Sequence, residues 1–281
     1  MPYGFPSGGS LTNQICRELK DDQSVFTKDI LFCGFEWTLI DEFRKHLELS
    51  FQPSIDAFLE HRPEYIEVGK TCIARALIPC EIEANLYRGI DRHWYEYLFN
   101  KLNTTPDKFG QNKLSILTFN YDRSLEQFLF IGLKQRFGLT DEDAASLVLS
   151  IPIVHLHGDL GKLKALYRDG RPYEPTVTIP IVKRCANDIK IIHENISSEE
   201  QFKVAHDLIS QAETICFVGF GYHPMNLERL AVQDLRGKTL HGTAYQVHQS
   251  ELDAVQSYFV SPIDLGPWDA IQLFWTRAVL K

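Results

Sequence analysis

The chain has six cysteines, Cys16, Cys33, Cys72, Cys80, Cys185 and Cys216, and no Cys-x-x-Cys pair among them. A structural zinc ribbon needs closely paired thiolates, so that class is excluded and no metal is expected. Scattered cysteines of this kind read as small buried hydrophobes of a reducing, cytoplasmic compartment. No apolar run reaches bilayer length, and residues 1–20 lack the continuous apolar segment of a secretory signal. Basic residues are in short supply: 29 Lys and Arg stand against 37 Asp and Glu, a net charge of -8. A bulk electrostatic grip on nucleic acid or on an acidic membrane is therefore not expected, although a local basic patch is compatible with an acidic average. Internal repeats and low-complexity segments are also missing.

What is present is an ordinary globular composition. The 281 residues are 44% apolar and 23% charged, enough for one large core or a core with an inserted subdomain. The chain opens in a turn-rich loop, MPYGFPSGGSL, with Pro2 and Pro6. From about residue 10 to 108 the texture is helical. Ser10 can cap LTNQICRELK, TLIDEFRKHLEL has helical spacing, and Ser54 can cap IDAFLEHR. PEYIEVGKTCIARAL starts on Pro63 and places Ile66, Ile73 and Leu77 on one face. DRHWYEYLFNKL continues with Trp94, Tyr97 and Leu98.

From about residue 113 the texture changes. KLSILTF, SIPIVHL, ETICFVGF and KTLHGTAYQV read as strands, with helices over 122–137, 140–149 and 198–212 between them. Ser197 to Gln201 carry capping-box chemistry for the last. Strand, loop, helix, strand is the pattern of an α/β fold with a mostly parallel sheet, which binds ligands beyond the carboxyl ends of its strands.

Three of the strands end in polar clusters: Thr118-Phe119-Asn120-Tyr121-Asp122, His155-Leu156-His157-Gly158-Asp159, and Gly219-Phe220-Gly221-Tyr222. Singly, each has a plainer explanation. Asn120 and Asp122 suit the cap of the helix that follows, His-Gly suits a turn, and a Gly-x-Gly loop is common.

In this order, the clusters resemble the motifs of the Sir2 (sirtuin) superfamily. The closer likeness is to the Sir2-like proteins of bacterial anti-phage defence. LTFNYDRSLE, IVHLHGDLG and CFVGFGYHPMNLERL fit that branch, and SIDAFLEHRPEYIEVGK and HWYEYLFNKL look like its helical part. The resemblance runs over nearly the whole chain. It implies one domain over 1–281 with a Rossmann-like core at 109–281, a mostly parallel sheet with helices on both faces, and an inserted α-helical subdomain at 24–108. Members begin with a strand and a G-A-G-x-S loop that cradles the NAD pyrophosphate; here Met1 falls just past that loop, and the first strand and loop are expected to be lacking.

The resemblance also implies a chemistry, cleavage of NAD between nicotinamide and ribose, with NAD as substrate. Asn120 would orient the ribose and the attacking water, and His157 would be the general base. Thr118 and Gly158 would line the cofactor site, and Asp122 would bind the nicotinamide carboxamide. Gly219 and Gly221 would let the adenosine half approach, and Gly4, Phe5 and Pro6 would form the loop over the nicotinamide. Asn226 stands where the family often has Asp, which weakens the adenosine assignment. His155 is expected to be structural, His223 solvated, and Tyr121 and Trp94 to belong to the core.

The leading expectation is an NAD glycohydrolase that depletes NAD under phage attack. A non-catalytic NAD- or ADP-ribose-binding or scaffold module is the alternative; protein deacylation is a third and less favoured one, because the zinc module that shapes a peptide cleft is missing. Implied partners are NAD, a second copy of the chain, and a separate-chain ATPase, Argonaute-like protein or sensor.

Overall fold

The computed structural model describes residues 3–87, 94–102, 105–191, 197–245 and 247–266. The first helices are α1 (Gly8–Glu18), α2 (Val25–Phe32), α3 (Trp37–Leu49), α4 (Ile55–Leu59) and α5 (Ile66–Leu77), then α6 (Trp94–Lys101) and α7 (Pro106–Phe109). After them come β1 (Ile116–Thr118), α8 (Ser124–Phe137), α9 (Asp141–Leu149), β2 (Ile153–His155) and α10 (Ile179–Asp188). The chain continues with α11 (Ser197–Gln211), β3 (Thr214–Phe217), α12 (Pro224–Arg229), β4 (Thr239–Thr243), α13 (Gln249–Gln256) and β5 (Ile263–Gly266). Among the described residues no helix is long and apolar enough to cross a membrane.

The chain forms two compact units. One comprises residues 1–90 and 116–198, the other 91–115 and 199–281. The regular elements within 24–108 are all helical among the described residues; α2 to α5 fall in the first unit, α6 and α7 in the second.

Local signals explain most helix starts in the first unit. Ser24, Ser54, Thr140 and Thr178 each accept a bond from the backbone N–H three residues on, and so cap α2, α4, α9 and α10. At α1 the expected cap shifts. Ser7, not Ser10, is the cap, because its hydroxyl accepts from the Ser10 N–H at 3.3 Å and draws Gly8 and Gly9 into the first turn. Helix α5 is buried on nearly all sides rather than on one face. Cys72, Ile73 and Ala74 are fully buried, Leu77 nearly so, and Ile66 is half-exposed. The reason is its surroundings: α1, α2, α3, α4 and α10 all pack against it.

Strands β1 and β2 are parallel, with Ile116 opposite Ile153, Leu117 opposite Val154 and Thr118 opposite His155. Their connection runs through α8 and α9, the long crossover that a parallel pair needs.

The second unit holds a three-stranded parallel ladder, β3-β4-β5, with Thr214 opposite Thr239 and Leu240 opposite Ile263. The sequence pattern does not suggest β5, a four-residue strand just after Ser261-Pro262. Helix α6 buries Tyr95, Leu98 and Phe99; Trp94 and Tyr97, expected on the inner face, are half-exposed. The buried stripe is shifted one residue from the expected one, which moves it around the helix by about 100°. Asp91 to His93, and the side chains of Ser197, Ser198 and Glu199 expected to cap α11, lie outside the described residues. The protein is thus mixed α/β, with parallel strands in both units.

Candidate active site

The register of β1 and β2 sets the geometry. Thr118 and His155 are opposite one another, so Asn120 and His157 each stand two residues past the last paired positions. The two loops are then joined beyond the strands. Leu156 N–H donates to the Thr118 oxygen at 2.8 Å, and Leu160 N–H donates to the Tyr121 oxygen at 3.0 Å. A side-chain bond lies between them: His155 Nδ1 meets the backbone oxygen of Asn120 at 2.8 Å.

His157 is buried between the residues that flank Asn120. Its ring meets Phe119 edge-on at 5.2 Å and Tyr121 at 6.2 Å. Its backbone oxygen accepts from Lys190 N–H at 2.8 Å, which ties the loop to the end of α10. Gly158 follows with φ +71, and a Cβ there would lie 2.0 Å from the Asp188 backbone oxygen. Close backbone packing therefore explains Gly158 without any ligand.

Asn120 is exposed. Its N–H donates to Thr118 Oγ1 at 3.1 Å, which folds the loop back on β1. Tyr121 is buried in the core, and its hydroxyl donates to Asp56. Asp122 Oδ1 accepts from the Ser124 N–H at 3.2 Å and from the Ser124 hydroxyl. The carboxylate thus gives the first residue of α8 an acceptor from one position before the cap residue, Arg123, which itself makes no side-chain capping bond. Burial raises the Asp122 pKa, and the Ser124 bonds oppose that shift.

His155 is buried with both ring nitrogens engaged, Nδ1 as above and Nε2 with Glu126 Oε1 at 2.7 Å. Burial alone would depress its pKa. The charge and hydrogen bond of Glu126, together with Asp159 and the Asn120 carbonyl, outweigh this and raise it to about 9.

The residue that sequence reasoning missed here is Arg123, which immediately follows the first motif. It is almost fully buried and donates to both oxygens of the fully buried Glu81, at 2.7 to 2.9 Å. It also donates to the backbone oxygens of Gly161, Lys162, Arg171 and Pro172. Arg171 reaches the same carboxylate. Burial acts to raise the Glu81 pKa and the two guanidiniums act to lower it. The Arg123 network fixes the chain that follows the second motif. A buried polar partner 42 residues away leaves no local pattern to read.

Gly4 packs against Asn85, and Phe5 is buried while Pro6 is half-buried. Asn85 belongs to the turn Glu83–Leu86, whose Glu83 accepts from Gln127 of α8 at 2.7 Å. The opening loop is thus joined through that turn to the helix that starts at the first motif.

The third motif lies in the second unit. Gly219 has φ +60, is exposed, and has nothing within 4 Å of its Cβ direction; Gly221 is equally open. The loop is held at its far side. Gly219 N–H donates to Thr243 Oγ1 at 2.8 Å, and the Tyr222 hydroxyl donates to the Thr243 backbone oxygen at 3.1 Å. Phe217 packs against Phe220, Tyr222 and Phe259 beneath it. Asn226 is half-buried in α12, with Arg229 at 3.5 Å from its side-chain oxygen.

The structure therefore brings Thr118, Asn120, Asp122, His157 and Gly158 to one end of the β1-β2 pair, and sets Gly219, Gly221 and Asn226 on and beside a loop after β3. Two open cavities, about 430 and 290 Å³, lie elsewhere, one against α1 and α3 and one near His46 and Arg62, and no motif residue lines either. Among the described residues no cluster of three or more His, Cys, Asp or Glu could hold a metal ion. Comparison with protein families, with curated proteins and with solved structures finds no match to this chain.

Proposed function

We propose that the protein is a Sir2-like NAD glycohydrolase with a Rossmann-like core, a cytoplasmic enzyme of bacterial anti-phage defence. The observation that carries this reading is that Asn120 and His157 each follow, by two residues, the paired carboxyl ends of two parallel strands. An α/β protein binds its ligand at such an edge. In the reaction the bond between nicotinamide and ribose breaks, and its electron pair leaves with the nicotinamide nitrogen. A water oxygen bonds to the same ribose carbon, and the water's proton passes to His157 as general base. The exposed Asn120 carboxamide orients the ribose and the water. Both Asp122 bonds to Ser124 use Oδ1, so Oδ2 is the oxygen that takes the nicotinamide amide.

The test is nicotinamide release from NAD by the purified chain, beside Asn120→Ala and His157→Ala. Release that both substitutions abolish supports the reading; release that survives them overturns the assignment. One observation favours a second reading, a non-catalytic NAD or ADP-ribose module in a complex with an ATPase, Argonaute-like or sensor partner: His157 is only 6% exposed. NAD binding without turnover, with or without a partner, supports that alternative. Release that depends on an acylated peptide would point instead to deacylation.

A further inference from the structure

We propose that His155 and Glu126 form a proton-sharing positioning pair that fixes the Asn120 loop against α8. The role of the pair rests on the NADase reading; its geometry does not. The partner of Nδ1 is a carbonyl oxygen, which can only accept, so Nδ1 carries a proton. The partner of Nε2 is a carboxylate oxygen at 2.7 Å, so a second proton sits between these two atoms. That second proton is shared by Nε2 and Oε1, and the negative charges around the ring hold it on the imidazole. No neutral tautomer serves both contacts with Glu126 charged.

The arrangement has a direct consequence for Asn120. Its backbone oxygen receives a bond from a side chain of the neighbouring strand, and its N–H is taken by Thr118 Oγ1. Both backbone polar groups of Asn120 are thereby fixed, while its side chain stays exposed. Helix α8 supplies the countercharge through Glu126, one turn in from the start that Asp122 serves. Asp122 and Asp159 also act on the His155 ring, and Asp159 and Glu126 act on the Tyr167 hydroxyl nearby. Every charge named around the ring is negative, so each favours the protonated form.

Two measurements test the pair. The first is an NMR titration of the His155 ring and of the Asn120 and Tyr121 amides in the full chain. The ring is expected to titrate above pH 8, the amides to move with the same midpoint, and Glu126→Gln to return the ring toward the ordinary histidine range. A ring that titrates near 6.5, or amides that ignore it, overturns the proposal. The second is nicotinamide release across pH 6 to 10. Glu126→Gln is expected to lower kcat roughly 10- to 100-fold with KM nearly unchanged, and to move the alkaline fall of kcat to lower pH. A loss confined to KM, or an unshifted alkaline limb, overturns the positioning role. If the wild-type chain releases no nicotinamide, the enzymatic reading and with it the catalytic role of the pair fall, while the titration still decides whether the pair exists.

Discussion

Arg123 and Glu81 face each other across 42 positions of sequence, with almost no solvent on either side chain. A pair this deeply buried tolerates loss of both partners far better than loss of one. Arg123→Gln strands the Glu81 carboxylate with only Arg171, takes the guanidinium donor from the Gly161 oxygen, and removes one of two donors from the oxygens of Lys162, Arg171 and Pro172. We expect a destabilisation of about 3–5 kcal/mol, read as a fall in the urea midpoint. Glu81→Gln leaves two buried guanidiniums without a countercharge and should cost a similar amount. A change below about 1 kcal/mol in both would show that the pair does not anchor the loop.

The two glycine classes of the motifs should separate sharply. Gly158→Ala forces a methyl to within 2.0 Å of the Asp188 oxygen, in addition to its positive φ. A loss of more than about 3 kcal/mol is expected, since backbone on both sides must shift. Gly219→Ala meets nothing within 4 Å, and only the φ of +60 opposes it. Its cost should be about 1–2 kcal/mol. Thermal unfolding of the two variants side by side gives the comparison, and equal shifts would contradict it.

Stability should fall on the alkaline side through His155. Its pKa is about 9 in the folded chain against 6.5 for a free histidine, so the folded state binds the proton more tightly. The contribution is complete below pH 6.5 and is lost as the pH rises through 9. Its ceiling is about 3 kcal/mol. Urea midpoints at pH 6 and pH 10 should therefore differ more in the wild type than in His155→Gln. A matching pH dependence in the variant would assign the effect to other groups.

Asp122 accepts from the first residue of α8, from one position before the cap residue Arg123, and, in the proposed reaction, also binds a ligand; two substitutions separate these roles. Asp122→Asn keeps a side-chain oxygen for the Ser124 N–H, so stability should change by less than about 1 kcal/mol. Asp122→Ala removes the acceptor and should cost about 1 kcal/mol or more. If Asp122 also grips the leaving amide, nicotinamide release drops in both variants, including the stable one. Full release by Asp122→Asn would leave the residue an acceptor for the start of α8 and nothing more.

The legible parts of this sequence are those decided within a few residues. Ser54 before IDAFL and the polar residues after KLSILTF announce a cap and a strand end by chemistry that acts over three or four positions. The same local logic could have found α10, where Thr178 precedes a turn containing Pro180. Ser7 is hard to recognise as a cap because two glycines follow it, and a glycine pair argues for loop until the cap is seen. What could not be read were the partners: Glu126 for His155, Glu81 for Arg123, Thr243 for Gly219. Each lies 24 to 42 residues from its mate, and no periodicity carries that information.

The Arg123 network also bears on ionic strength. Within 118–123 and 155–159 Arg123 supplies the one guanidinium, and its Nε, Nη1 and Nη2 donors are all committed to protein oxygens. The imidazolium of His155 is neutralised by Glu126. Among the described residues, these two segments would thus meet a charged dinucleotide with amides, hydroxyls and carboxylates, and offer it no uncommitted guanidinium of their own. Its affinity there should change little between dilute buffer and several hundred millimolar salt, unlike that of a ligand drawn in by free lysines and arginines.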